Sequence, residues 1–291
     1  MSVAAMQETK WFGASVWEAQ GYTLLHSGCP LPHGEEPAVK KEEVGIALDE
    51  RATSAWREAG EKWKAVSSHI VTAQLKLTSV GQRRAGGSRE TRSTYLTVIS
   101  AYAPTARAPP AIAQEFVNDL QDVLDQVPQS DVLLLLEDFN ASVGSAGNGE
   151  DLWRGVRGRH GIGECNDAGE RFLEFCARNQ FTIMNIWFQK KSHHLAAWKH
   201  PATKQMHAID YTVMRSDQRC LCTDVQVMRG ANCWSDHFMV RMKMRLCLPK
   251  WKKASVGTIP IAVHGLLRKE VRETYEQELG KHLNECPYVC S

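Results

Sequence analysis

The aliphatic run Asp131-Val-Leu-Leu-Leu-Leu136, followed at once by Glu137-Asp-Phe-Asn140, constrains this chain more than any other stretch. The run is too short to span a bilayer and is apolar on both faces, so it reads as a central strand covered on both sides. Its end carries the chemistry. Asp138 and Asn140 are two apart, so an extended backbone predicts both side chains on one side, with Phe139 turned into the packing. A carboxylate beside a carboxamide suits activation of a water and contact with a phosphate oxygen.

The flanking segments supply neighbours for that strand. Val71, Ala73, Leu75 and Leu77 alternate with polar residues, and a second strand is predicted over Thr94 to Tyr102; the two form an antiparallel pair joined by a long basic loop. Ile112, Phe116, Leu120, Val123, Leu124 and Val127 have the spacing of an amphipathic helix that Pro128 ends. Asn166 or Asp167 caps a second helix, with Asp167 and Glu170 at capping-box spacing and Phe172, Phe175 and Cys176 as its buried stripe. Further strands are expected at Phe181 to Asn185, His207 to Met214, Asp224 to Arg229 and Phe238 to Leu246. In the last, Arg241, Lys243 and Arg245 share one face, and Val240, Met242, Met244 and Leu246 the other.

A length of 291 residues allows one large domain or a domain with an appendage, and the change of character after Pro249 favours the second. Residues 1–248 form the domain, 249–265 a linker, and 266–291 an amphipathic helix and tail carrying Leu267, Val271, Tyr275, Leu279 and Leu283. With 43% hydrophobic and 23% charged residues the chain is not of the disordered class. A net charge of +2 does not by itself demand a nucleic-acid partner; each local basic cluster, around Arg83 to Arg92, Arg154 to Arg159 and Arg241 to Lys253, also reads as ordinary solvated surface. Nine scattered cysteines give no disulfide framework, and neither Cys220-Leu-Cys222 nor His193, His194, His200 and His207 match zinc-ligand spacing. Lacking a signal core or membrane span, the chain is expected in the nucleus or cytoplasm and not secreted.

Four segments concentrate side chains useful in phosphate chemistry: Gln7-Glu8-Thr9, Ser100-Ala-Tyr102-Ala-Pro104, Glu137-Asp-Phe-Asn140, and Ile209-Asp-Tyr211 with Ser235-Asp-His237. Hydrolysis of a phosphodiester needs charge neutralisation, a positioned water and an acid or base near neutral pH. Glu8 is a hard oxygen ligand for Mg²⁺, His237 titrates in the right range, and Asp210 can hold its imidazole in one tautomer.

In this order the segments resemble the exonuclease–endonuclease–phosphatase superfamily over roughly residues 4 to 248. Gln7-Glu-Thr-Lys10, Gly21-Tyr22, Ser27-Gly28, Val44-Gly-Ile-Ala47, Trp198-Lys-His-Pro201 and Trp234-Ser-Asp-His237 narrow the resemblance to endonucleases of non-LTR retrotransposons and the craniofacial development protein 2-like proteins derived from them. The resemblance implies an α/β fold, a two-sheet, four-layer α/β/β/α sandwich with a cleft at one edge. It implies cleavage of DNA phosphodiesters with Mg²⁺ or Mn²⁺, without a small-molecule cofactor. Glu8 and Asp236 would serve the metal, Tyr102 would contact the phosphate, Asp138 would activate water, Asn140 would hold the scissile group, and Asp210 would orient His237.

The chain also departs from the pattern. It begins at the Glu, so the expectation is a fold lacking the family's first strand, whose Asn helps to bind metal; such losses typically cost about 10–100-fold. Glu137 and Glu43 stand where the family has Gly, and Ala197 where related endonucleases carry a hydroxyl. Four readings follow: an endonuclease, active or impaired; a non-catalytic nucleic-acid or protein binding module on the same fold; a phosphomonoesterase; and an untranslated or unstable pseudogene product.

Overall fold

The computed structural model describes residues 1–29, 43–77, 94–105, 108–146, 152–230 and 235–246, with 272–274 and 277 of the tail. Two compact units divide the chain, Met1–Pro249 and Lys250–Ser291. The expected 249–265 linker and the basic loop after Leu77 lie outside the described residues; of the expected tail helix, 272–274 and 277 are helical.

The first unit opens with strands β1 (Val3–Gln7), β2 (Ala14–Ala19), β3 (Tyr22–Ser27) and β4 (Val44–Leu48), then helix α1 (Glu50–Glu58). Strands β5 (Trp63–Ser67), β6 (Ile70–Leu77) and β7 (Thr94–Tyr102), helix α2 (Pro110–Gln126), β8 (Val132–Asp138) and helix α3 (Asp167–Arg178) follow. The unit closes with β9 (Phe181–Ile183), β10 (Trp198–Lys199), β11 (Met206–His207), β12 (Asp210–Arg215), β13 (Cys222–Val227) and β14 (Val240–Met244). Two sheets carry the architecture: a four-stranded one ordered β1-β4-β3-β2 and a six-stranded one ordered β5-β6-β7-β8-β12-β9. They lie face to face, with β3 over β5 and β6, β4 over β6 and β7, and β1 over β7 and β8.

Period-two alternation in β8 divides its side chains between two cores. Leu133 and Leu135 join Phe116 and Leu120 of α2 and Phe172 and Leu173 of α3, whereas Val132 and Leu134 join Leu25, Ile46, Val71 and Val98 between the sheets. Each fully buried Leu or Ile contributes roughly 1.5–3 kcal/mol relative to exposure. Two polar anchors fix the far end of the six-stranded sheet. Buried Arg215 donates to the carbonyls of Val127, Pro128 and Asp131, at 3.2, 3.0 and 3.1 Å. Asp131 Oδ2 accepts from Gln74 Nε2 and Thr97 Oγ1, at 2.7 and 2.9 Å.

Most expected elements appear close to their expected bounds, and Val240, Met242, Met244 and Leu246 do pack on the core. Asn166, not Asp167, caps α3: its side chain accepts from Gly169 N. The strand expected over His207 to Met214 is divided into β11 and β12, and Tyr211, in β12, donates its hydroxyl back to Ala208 O at 2.6 Å. Strands β1 to β5 and α1 carry no periodic pattern as plain as that of β6. The β2–β3 hairpin turns on Gln20 and Gly21, both left-handed at φ 50° and 82°, and α1 is capped by Asp49 Oδ1, 2.8 Å from Ala52 N.

Candidate active site

Strand register assembles the site. Tyr102 of β7 lies opposite Asp138 of β8 in parallel pairing, and Asp138 lies opposite Asp210 of β12 in antiparallel pairing, so the three form one row across adjacent strand ends. Residues opposite one another project to the same face, here the face toward the four-stranded sheet, where Val132, Leu134 and Tyr102 pack. From that sheet, Glu8 follows β1 directly in a left-handed conformation (φ 54°), and its Oε1 accepts from the Tyr102 hydroxyl at 2.9 Å.

Asn140 reaches the site differently from expectation. The strand ends at Asp138, and Asn140 is left-handed (φ 48°), so the two are joined by a turn and not by the pleat. Asp138 Oδ1 accepts from Asn140 N at 2.9 Å, and the Asn140 carboxamide donates to Ala103 O at 2.9 Å. An Asx turn competes with strand extension at such a position, and here it prevails. Phe139 does turn into the packing, stacked on Phe172 with ring centroids 3.5 Å apart.

His237 completes the group. Its Nδ1 lies 3.0 Å from Asp210 Oδ2, which makes Nδ1–H the donor, and its Nε2 lies 3.9 Å from Asp138 Oδ2, beyond hydrogen-bond reach. Asp236 sits beside His237 in sequence but is held from the other side, where its Oδ2 accepts from Trp198 Nε1 at 2.9 Å. The structure thus gathers Tyr102, Asp138, Asn140, Asp210 and His237, draws Glu8 onto Tyr102, and ties Asp236 to Trp198.

The electrostatics follow from crowding. Burial, then the charges of Asp210 and Glu8, push the Asp138 carboxyl up to about 7, against the Asn140 N–H and His237, which pull it down. Burial works against the His237 cation, yet the hydrogen bond and charge of Asp210, with Asp138 and Asp236, lift its pKa to about 9. Burial and Glu8 hold the Tyr102 hydroxyl well above its usual range, so it stays a donor. The donor set fits a hard divalent cation: it is rich in carboxylate oxygen, and Asp138 shares its pocket with like charges that a cation would offset. Asp138, Asp210 and His237 each bring a potential ligand atom within 4.8 Å of the others. With Nδ1 of His237 bonded to Asp210, Nε2 faces Asp138, an arrangement that serves proton handling and is equally compatible with metal ligation.

Three further residues support the site, of which the sequence singles out Trp198 alone, in Trp198-Lys-His-Pro201, and without a role. Asn185 fixes the start of β12, donating to Asp210 O at 2.9 Å and accepting from Thr212 N at 2.6 Å. His69 stacks on Tyr102 and its Nδ1 lies 2.7 Å from Tyr102 O. Trp198 leans on the His237 ring. One residue is conspicuously ill-fitted: Glu137 points to the opposite side of β8 from Asp138, buried, with neither carboxyl oxygen hydrogen-bonded.

No family model matches the chain. Over 248 residues it is 29% identical to craniofacial development protein 2 of Bos taurus, a match covering 85% of this chain and 37% of that protein. Over 261 residues it is 29% identical to the Tragulus javanicus protein of the same name, covering 89% and 40%. The chain therefore spans about two fifths of the length of these curated relatives. Among solved structures it is similar to the endonuclease domain of TRAS1, a telomere-specific non-LTR retrotransposon, with TM-score 0.50, 15% identity, and coverage of 84% of this chain and 86% of that one. The Xenopus laevis APE2 catalytic domain gives 0.53, 16%, and 86% and 85%; the AP endonuclease LMAP from Leishmania major gives 0.53, 14%, and 84% and 78%. At such identities these structures establish the fold. The chain has the mixed α/β, multi-sheet fold of the endonuclease/exonuclease/phosphatase superfamily, and homologues named craniofacial development protein 2.

Proposed function

We propose that this chain, built on the endonuclease/exonuclease/phosphatase fold, is a divalent-metal-dependent DNA endonuclease of retrotransposon origin. The observation that carries the reading is the row of Tyr102, Asp138 and Asp210 across three strand ends, with His237 held by Asp210 and turned toward Asp138. Asp210 orients the imidazole and keeps it protonated at neutral pH, where it offers positive charge to a phosphate. Asp138, whose pKa is about 7, takes a proton from the attacking water as the new P–O bond forms and the bond to the leaving oxygen breaks. Tyr102 and Asn140 supply neutral hydrogen-bonding groups beside that centre. Glu8 and Asp236 would hold Mg²⁺ or Mn²⁺, which when bound neutralises phosphate charge.

The test is nicking of supercoiled plasmid by the purified chain with Mg²⁺ against EDTA, beside Asp138→Ala and His237→Ala. Mg²⁺-dependent nicking lost in both variants is the expected result. A folded protein that binds the plasmid in a salt-dependent manner without nicking it would overturn the enzymatic reading in favour of a binding module. The exposed cation Lys243, with half-buried Arg241, favours that second reading: β14 presents them opposite its core-facing residues, and exposed Arg245 follows directly.

A further inference from the structure

The segment Ser235 to Phe238 carries two residues of the candidate site but belongs to no strand. The β10–β11 hairpin holds it. Trp198 and His237 form an isolated antiparallel bridge, Lys199 N donates to Asp236 O at 3.3 Å, and Phe238 N donates to Ala197 O at 2.6 Å. Side chains add to this backbone seam. The Trp198 indole N–H donates to Asp236 Oδ2, and the indole ring lies against the His237 imidazole with centroids 6.2 Å apart and planes at 41°. Within the hairpin, the rings of His200 and His207 pack on the same indole at 5.2 and 5.5 Å. His200 is itself fixed, its Nδ1 accepting from Ala202 N and Thr203 N, both at 3.2 Å. The indole is thus immobilised by its own hairpin and touches both Asp236 and His237.

We propose that Trp198 is the positioning residue of this site, aiming the Asp236 carboxylate through its N–H and backing the His237 ring with its face. The inference rests on the metal-dependent reading above. Asp236 is exposed, and a donor on a braced ring favours one orientation of its carboxylate. Groups that orient a ligand without touching the metal typically contribute about 10–100-fold in affinity or activity. The two functions of the indole are separable, because phenylalanine keeps a ring and loses the N–H, whereas alanine loses both.

The experiment measures Mn²⁺ binding to the full chain by electron paramagnetic resonance in the absence of DNA, alongside Mg²⁺ titrations of plasmid nicking, for the parent, Trp198→Phe, Trp198→Ala and Trp17→Phe. Trp17→Phe makes the same substitution on exposed β2 and is expected to match the parent. Trp198→Phe is expected to weaken Mn²⁺ binding about 10-fold and to raise the half-saturating Mg²⁺ concentration in parallel, more than it lowers turnover at saturating metal. Trp198→Ala adds a further loss of turnover and a changed pH profile, since His237 loses its backing. Parental Mn²⁺ affinity in Trp198→Phe overturns the proposal, as does a loss that only follows a lowered folded fraction in thermal melts. A parent that binds Mn²⁺ yet nicks no DNA sinks the endonuclease reading while the Mn²⁺ comparison still decides the role of Trp198. A parent that binds no Mn²⁺ overturns that role as well.

Discussion

The Tyr102 hydroxyl donates to Glu8 Oε1 across 2.9 Å, a contact between residues 94 positions apart that joins the two sheets at the candidate site. Because burial and Glu8 hold the phenol protonated, Tyr102 remains a donor well into alkaline solution. Tyr102→Phe removes that donor and little packing. Turnover in plasmid nicking should fall about 10²-fold, in line with loss of one preorganised hydrogen-bond donor, with a thermal midpoint near the parent's. Turnover within about threefold of the parent would remove Tyr102 from the chemistry.

The titrations of Asp138 and His237 act in the same direction on the metal-free protein. Asp138 is raised to about 7 from an unfolded value of about 3.9, so its contribution to stability is present below the unfolded pKa and lost as pH rises through 7. His237 is raised to about 9 from about 6.5, so its contribution is complete below 6.5 and lost as pH rises through 9. In EDTA the melting temperature should therefore decline from pH 6 to pH 9, with the upper part of the decline flattened by His237→Ala. Mg²⁺ competes with protons, so its stabilisation should be larger at pH 8 than at pH 6. A melting temperature that rises over this range in EDTA contradicts the assignment.

Glu137 is a liability within β8, the strand that ends at Asp138. Burial, then the neighbouring Asp138, raises its pKa far above the carboxylate range, and neither oxygen has a hydrogen-bond partner. Glu137→Met roughly conserves volume and removes the desolvated polar atoms, and should stabilise the domain by about 1–3 kcal/mol in urea titrations at pH 7. A raised acid loses stability as pH climbs, so the advantage of the variant should grow toward pH 9. A variant less stable than the parent at both pH values would show that Glu137 has a compensating partner.

Asn166 caps α3, its Oδ1 accepting from Gly169 N at 2.8 Å and Ser142 N at 3.0 Å. Asn166→Ala should cost about 1–2 kcal/mol by urea denaturation. Nicking per folded molecule should be unchanged, since the cap touches no residue of the site; a selective loss of activity would mean that α3 transmits to it.

The elements legible in the sequence are those whose environment is uniform along their length. The run Val132 to Leu136 is covered on both faces, β6 alternates cleanly, and α2 and α3 present single apolar stripes to one core. The four-stranded sheet was harder to read because β2 is almost wholly exposed and β1 is nowhere fully buried, which blurs alternation. At the site, order along the chain was enough to nominate Glu8, Tyr102, Asp138, Asp210 and His237. Their geometry was not legible, because the left-handed turn at Asn140 and the clamp by Asn185 depend on partners distant in sequence.

The row of Tyr102, Asp138 and Asp210 also sets where this protein can tolerate changes in length. Residues inserted between Ser142 and Asn166, beyond the row, leave the pairing of the three strands untouched. A single residue added within Val132 to Leu136 would exchange the facings of Glu137 and Asp138, sending the Asp138 carboxylate under α3 and that of Glu137 toward Tyr102 and Asp210. The reading frame of β8 is thus fixed to the parity of one residue.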